Sequence, residues 1–237
     1  MIKINVTMAD NTIITVRGIS KTYHSGEVVV RALQNISLTI GQGDFVIITG
    51  RNGAGKSTLM HNLAVLDRPD SGQIIMDDHD VTKLTDFQRT ELRLNRLGYV
   101  FQDYALIAEL SALENVMLPA MMIQPVKACR ARAAKLLNLV GLDRHARRLP
   151  SQLSGGEQQK VAIARALVND PEIIFADEPT ANLDSIAAKD VLNTFTKLNS
   201  DHRHTIVMVS HEPEETAYAN RVIQLADGKI ISDRPSR

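Results

Sequence analysis

Tryptophan is absent from this chain, and cysteine occurs once, at Cys129. A lone cysteine excludes an internal disulfide framework and fits a reducing compartment. Net charge is absent too, because 27 basic and 27 acidic residues cancel. Phosphate-backbone binding draws on a basic footprint, so this balance argues against a nucleic-acid partner. Long apolar runs are also missing. Phe45 to Ile48, Ile173 to Ala176 and Ile206 to Val209 fall far short of the ~20 residues that a membrane-spanning helix needs. Met1 to Asp10 lacks a charged start followed by an apolar run, so no signal peptide is expected. Together these absences predict a protein that is soluble by itself and meets a membrane only through a partner.

What is present is length enough for a substantial core and a clear alternation of elements. Thr12 to Ile19 and Ser37 to Ile40 alternate polar with β-branched residues and predict strands of a mixed or antiparallel sheet. Phe45 to Thr49 is continuously apolar, as in a strand buried on both faces. A helix is expected from about Lys56 to Leu66, then a turn at Asp70-Ser71-Gly72 and a short strand at Gln73 to Met76. From about Asp103 to Gln152 alanine and leucine recur at helical spacing, ending at Gly141 as a C-cap. Strands return at Ile173 to Ala176 and Thr205 to Val209, and Asp227-Gly228 joins two more as a hairpin. The alternation predicts an α/β fold.

Gly50-x-x-x-x-Gly55-Lys56-Ser57 follows an apolar strand and opens a helix, which is the Walker A arrangement. Glycines let backbone N–H groups curl around phosphate oxygens, and the helix adds the positive end of its dipole. Lys56 is expected to reach the β- and γ-phosphates, and the Ser57 hydroxyl to ligate Mg²⁺. Ile173 to Asp177 reads as the apolar strand ending in an acid that faces such a loop. Asp177 would hold Mg²⁺ through water, and Glu178 would orient or deprotonate the attacking water. No Asn-Lys-x-Asp segment occurs, so the usual guanine-reading signal is missing. Tyr23 by itself reads as a half-buried strand residue, although its ring could stack on adenine. The remaining histidines, His24, His61, His79, His145, His202 and His204, show no metal spacing.

Leu153-Ser154-Gly155-Gly156-Glu157 lies between the phosphate loop and the acidic strand end. With it, the chain resembles the ATP-binding subunits of ABC transporters over about Ile13 to Ile231. The resemblance implies a P-loop NTPase core with an N-terminal antiparallel β subdomain and an inserted α-helical subdomain. One domain would span 12–232, with 12–102 and 153–232 as the core and about 103–152 as the helical part. ATP and Mg²⁺ are the implied cofactors. Tyr23 matches the adenine-stacking position, and Gly50, Arg51, Asn52, Gly53, Ala54, Gly55, Lys56, Ser57 and Thr58 match the phosphate loop. Gln102 matches the glutamine that touches Mg²⁺ and the attacking water and senses the membrane subunit. Ala181-Asn182-Leu183-Asp184 matches the loop that crosses the dimer interface, and His211 matches the histidine on the γ-phosphate.

Ser154-x-x-Glu157 also fits a helix capping box. The resemblance gives it a sharper role: Ser154 and the amides of Gly155 and Gly156 bind the γ-phosphate held by a second subunit. That implies a head-to-tail homodimer closed by ATP, on the cytoplasmic face of the membrane through a permease partner. The stretch from Val100 to Val116 is similar to the lipoprotein-release and macrolide-export group, with Ala108 and the Arg51–Ala54 loop as departures. A mechanotransmission ATPase and the ATPase of a solute importer share this engine and stay open alternatives. Met117 and Met121, one helical turn apart, read first as core filler and second as a docking face for a permease helix.

Overall fold

The computed structural model describes residues 11–26 and 28–236. The leader reading at residues 1–10 lies outside them. β1 (Thr12–Ser25) and β2 (Val28–Gly41) form a long antiparallel hairpin. β3 (Phe45–Thr49) feeds α1 (Lys56–Leu63), after which β4 (Ser71–Met76) and β5 (His79–Asp80) complete a four-stranded antiparallel sheet in the order β2-β1-β4-β5. α2 (Asp86–Arg96) and β6 (Leu97–Val100) lead into three helices, α3 (Ala112–Met117), α4 (Val126–Leu139) and α5 (Gly155–Ala166). β7 (Ile173–Asp177), α6 (Ser185–Ser200), β8 (Thr205–Val209), β9 (Arg221–Ala226) and β10 (Lys229–Pro235) follow. The second sheet has six strands ordered β10-β9-β3-β8-β7-β6, parallel except for the final β9–β10 hairpin.

The period-2 geometry of a strand splits the core into two layers. Phe45, Ile47, Ile174, Ala176, Ile206 and Met208 face the layer built with α3 to α6. Val46, Ile48, Ile173, Phe175, Val207 and Val209 face the layer shared with α1 and the antiparallel sheet. Every one of these side chains is at most 2% exposed, which is why these strands read as continuous apolar runs. Cys129 and Met117 lie in the first layer; Met117 is therefore core, while Met121 is 46% exposed in the turn after α3.

Two sequence expectations shift, and the expected hairpin at Asp227-Gly228 holds. α1 ends at Leu63 rather than Leu66, because Val65 turns left-handed at φ 57. The Val65 carbonyl accepts hydrogen bonds from Arg89 Nη2 at 3.0 Å and Arg93 Nη1 at 2.9 Å, which hold that conformation on a β-branched residue. β1 and β2 run further than the alternating segments, through bulges that keep the pairing between Lys21–Ser25 and Val28–Leu33. The last hairpin turns at Asp227 (φ 47) and Gly228 (φ 72), two left-handed residues as a tight two-residue connection requires.

Candidate nucleotide site

The C-terminal ends of three neighbouring parallel strands bring the predicted loops together. β3 delivers the phosphate loop, β7 delivers Asp177 and Glu178, and β8 delivers His211. Gly55 enters α1 at φ 100 without a side-chain cap, so the first amides of that helix have no side-chain acceptor. A Cβ at Gly55 would meet the Ala32 carbonyl at 2.3 Å, so this position has no room for another residue. Lys56 is 5% exposed and folds back over the loop, donating to the Gly50 carbonyl at 3.1 Å and the Arg51 carbonyl at 3.4 Å. Its Nζ is 3.7 Å from Glu178 Oε1. Arg51, Asn52 and Gly53 form the exposed tip, and Ala54 is buried beneath it.

Ser57 Oγ donates to Asp177 Oδ1 at 3.3 Å. Sequence reasoning missed two further residues here. Tyr99 donates to Asp177 Oδ2 at 3.4 Å, and His61 Nε2 stands 3.7 Å from the same oxygen. Both lie far from Asp177 in the chain, so spacing alone carried no signal for them. Burial pushes the Asp177 carboxyl up, against the pull of His61 and the Ser57 hydrogen bond. Burial, then the Asp177 charge, pushes the Tyr99 phenol up as well, so it stays a donor. Glu178 sits at φ 43, a left-handed conformation costly for a non-glycine residue and found where loops are held by function. His211 Nδ1 is 3.2 Å from Glu178 Oε2, and its Nε2 is 3.0 Å from Glu212 Oε1.

Other predicted residues lie around this centre. Tyr23 is 41% exposed rather than half-buried, with its hydroxyl donating to Asp67 Oδ2 at 2.8 Å. The phenol also interacts with Thr58 on α1, which places the ring beside the phosphate loop's helix. Gln102 is exposed; its carbonyl accepts from Asn182 Nδ2 at 3.1 Å, and no hydrogen bond reaches its side chain among the described residues. Asp184 caps α6, accepting from the Ile186 and Ala187 N–H groups at 2.9 Å each. Ser154 and Glu157 form a reciprocal capping box on α5, with Ser154 N donating to Glu157 Oε2 at 2.8 Å and Glu157 N to Ser154 Oγ at 3.3 Å. No hydrogen bond or ion pair links Leu153–Glu157 to Gly50–Ser57 among the described residues. Gly155 and Gly156 are tightly covered: a Cβ would meet the Tyr104 hydroxyl at 2.8 Å or Ala187 Cβ at 3.0 Å.

Residues 33–181 match the ABC transporter family. The chain belongs to that family. It is 48% identical over 223 residues to the macrolide export ATP-binding/permease protein MacB 1/2 of Paracoccus denitrificans, covering 94% of this chain and 33% of that protein. This ABC transporter ATPase domain therefore spans about a third of that relative's length. It is 46% identical to an uncharacterized ABC transporter ATP-binding protein of Methanocaldococcus jannaschii, covering 92% of this chain and 97% of that one. Among solved structures, the dimeric post-hydrolysis state of the ATP-binding cassette MJ0796 bound to ADP and Pi superposes with a TM-score of 0.87. Identity there is 39%, covering 95% of this chain and 99% of that chain. The ABC family fold is thus established over nearly the whole chain. No helix among its described residues is long and apolar enough to cross a membrane.

Proposed function

We propose that this chain is the ATP-hydrolysing motor of a membrane export system. It would close head to tail with a second copy on ATP and drive a permease of the macrolide-export and lipoprotein-release type from the cytoplasmic face. The observation that carries the reading is the meeting of Lys56, Ser57, Asp177, Glu178 and His211 at the ends of β3, β7 and β8.

The donor set at Ser57 and Asp177 fits Mg²⁺. It is a hydroxyl and a carboxylate, both hard oxygen donors, and no cluster of three or more His, Cys, Asp or Glu offers an all-protein metal cage among the described residues. When bound there, Mg²⁺ would supply neutralisation of phosphate charge, with Ser57 and Asp177 holding it. Lys56 exchanges its loop carbonyls for phosphate oxygens, and the loop amides cradle the same oxygens. Glu178 accepts a proton from, or orients, the attacking water, and His211 positions Glu178 and the γ-phosphate side of that water. The Gln102 side chain makes no hydrogen bond to this centre among the described residues; its role is to complete it from the segment tied to Asn182. Tyr23 offers a partly exposed ring for the base. Ser154, Gly155 and Gly156 present a capped helix start whose ligand is the nucleotide of the partner copy, with Asp184 beside the interface. Segment 103–152 acts as the helical subdomain that faces the permease.

The test is assembly of the Glu178→Gln chain, measured by light scattering. MgATP is expected to convert it into a stable dimer, while MgADP leaves it monomeric. A chain that stays monomeric at saturating MgATP, although a titration shows ATP bound, would overturn the proposal.

A further inference from the structure

Glu215 is the only carboxylate residue among the described residues that is less than a tenth exposed, at 6%. It lies in the 3₁₀ turn Pro213–Tyr218 that follows His211. Its Oε1 accepts from Thr180 Oγ1 at 2.6 Å, and Thr180 is itself 8% exposed. Its Oε2 is buried without a hydrogen-bond partner among the described residues. Withdrawing a carboxylate from water for one hydrogen bond is a poor use of a core position, since an apolar side chain avoids the desolvation. Such a group in a folded protein calls for an explanation beyond packing.

The surrounding connections supply one. Thr180 follows Glu178 by two residues, and Ala181 N donates to the Glu178 carbonyl at 3.2 Å. On the other side, Glu215 N donates to the Glu212 carbonyl at 3.2 Å, and Glu212 N donates to Ser210 Oγ at 3.0 Å. The segments leaving β7 and β8 are therefore joined at three points. Glu178 N donates to the Val209 carbonyl at 3.2 Å at the strand ends. His211 meets Glu178 in the middle at 3.2 Å. Thr180 meets Glu215 on the far side. A loop pinned only at its root can swing, whereas one pinned on both sides of a contact cannot. The outer pin is a short O–H···O bond out of reach of solvent, where a hydrogen bond is stronger than in water.

We propose that Glu215 is a positioning residue: through Thr180 it locks the loop after β8 to the loop after β7 and so holds His211 against Glu178. The inference rests on the roles given to Glu178 and His211 in the proposed function. It adds that their geometry depends on a buried pair given no role in that function.

The experiment compares Thr180→Val, Thr180→Ser and Glu215→Gln in the full chain. ATP turnover, ATP affinity and the imidazole resonances of the seven histidines are read for each. Thr180→Val keeps the shape and removes the hydroxyl. It is expected to lower kcat about tenfold with KM for ATP within about twofold, a size that fits a small misplacement of reacting groups. The His211 resonances shift while those of the other six histidines hold. Thr180→Ser restores both readouts, and Glu215→Gln, which keeps an acceptor oxygen, stays within about threefold of wild type. Wild-type kcat and unmoved His211 resonances in Thr180→Val would overturn the proposal, as would equal impairment of Thr180→Val and Thr180→Ser. Glu178→Gln, run in parallel, separates the two claims. If it loses turnover while Thr180→Val does not, the positioning role alone fails. If it keeps turnover, the role of Glu178 fails, and the His211 resonances still decide the tether.

Discussion

His211 Nδ1 faces Glu178 Oε2 at 3.2 Å across the ends of two adjacent parallel strands. Strand pairing therefore fixes both roots, and the side chains meet because Val209 and Asp177 are register partners. Removing the imidazole leaves the nucleotide-binding loop untouched, since the glycine turns and Lys56 lie between β3 and α1, on a different segment from His211. We expect His211→Ala to lower kcat by about 100-fold, the usual scale for a lost proton-handling or orienting group. ATP affinity should stay within a few-fold. Equilibrium nucleotide titration beside a turnover assay checks this; a parallel fall in affinity would move His211 from catalysis to binding.

Two capping boxes of near-identical geometry allow a controlled test of the signature helix. Ser111 and Glu114 cap α3 with distances of 2.9 and 3.3 Å, and Ser154 and Glu157 cap α5 with 2.8 and 3.3 Å. Ser111→Ala and Ser154→Ala should each cost about 1 kcal/mol of stability. Only Ser154→Ala should also lose ATP turnover, by about tenfold or more, because only its oxygen is assigned to the partner's nucleotide. Thermal unfolding and turnover measured on both variants decide it. Equal turnover would reduce Ser154 to a helix cap.

The sequence is most readable where burial is two-sided. Phe45–Thr49 and Thr205–Val209 emerge at their observed bounds because continuous apolar runs mark them. α2 and α6 escape the reading, although Thr85 with Gln88 and then Asp184 supply their caps. α2 buries Arg89 and leaves Phe87 72% exposed, and α6 leaves Ile186 83% exposed, so apolar residues and the buried face do not coincide at these positions, and Asp184 stands first as an interface residue. At the site, the residues within recognisable motifs were legible. Tyr99, His61, Thr180 and Glu215 were not, because their roles come from contacts across the fold. Tyr99 reaches Asp177 over 78 residues and Thr180 reaches Glu215 over 35, distances at which no local pattern signals contact.

Two glycines separate crowding from backbone strain. A Cβ on Gly98 in β6 would stand 2.7 Å from the Ala166 carbonyl and 3.2 Å from Pro171 Cγ. Gly53 lies at φ 79, yet a Cβ there meets nothing within 4 Å. Gly98→Ala must push the end of α5 away from the sheet, at a cost of about 1–3 kcal/mol. Gly53→Ala should cost about 1 kcal/mol from left-handed strain alone. Chemical denaturation should rank Gly98→Ala as the less stable; the reverse order would mean that α5 shifts freely over β6.

His204 gives the folded chain a pH dependence whose sign can be worked out. Its Nδ1 lies 3.2 Å from the Pro171 carbonyl in the approach to β8. Burial pushes the imidazole below its ordinary 6.5, outweighing the Pro171 contact and the nearby Asp170 that pull upward. The fold therefore favours the neutral ring. Well above pH 6.5 neither folded nor unfolded chain binds the proton, and His204 adds no penalty. As the pH falls below 6.5 the unfolded chain takes up the proton first, so stability drops until the folded-state pKa is passed and then levels off. Glutamine at this position cannot titrate and keeps a donor for Pro171. Between about pH 7.5 and about pH 5, wild type should lose more unfolding free energy than His204→Gln. Denaturant titrations at both values measure the difference, and equal losses would show that the folded protein accepts the charged ring.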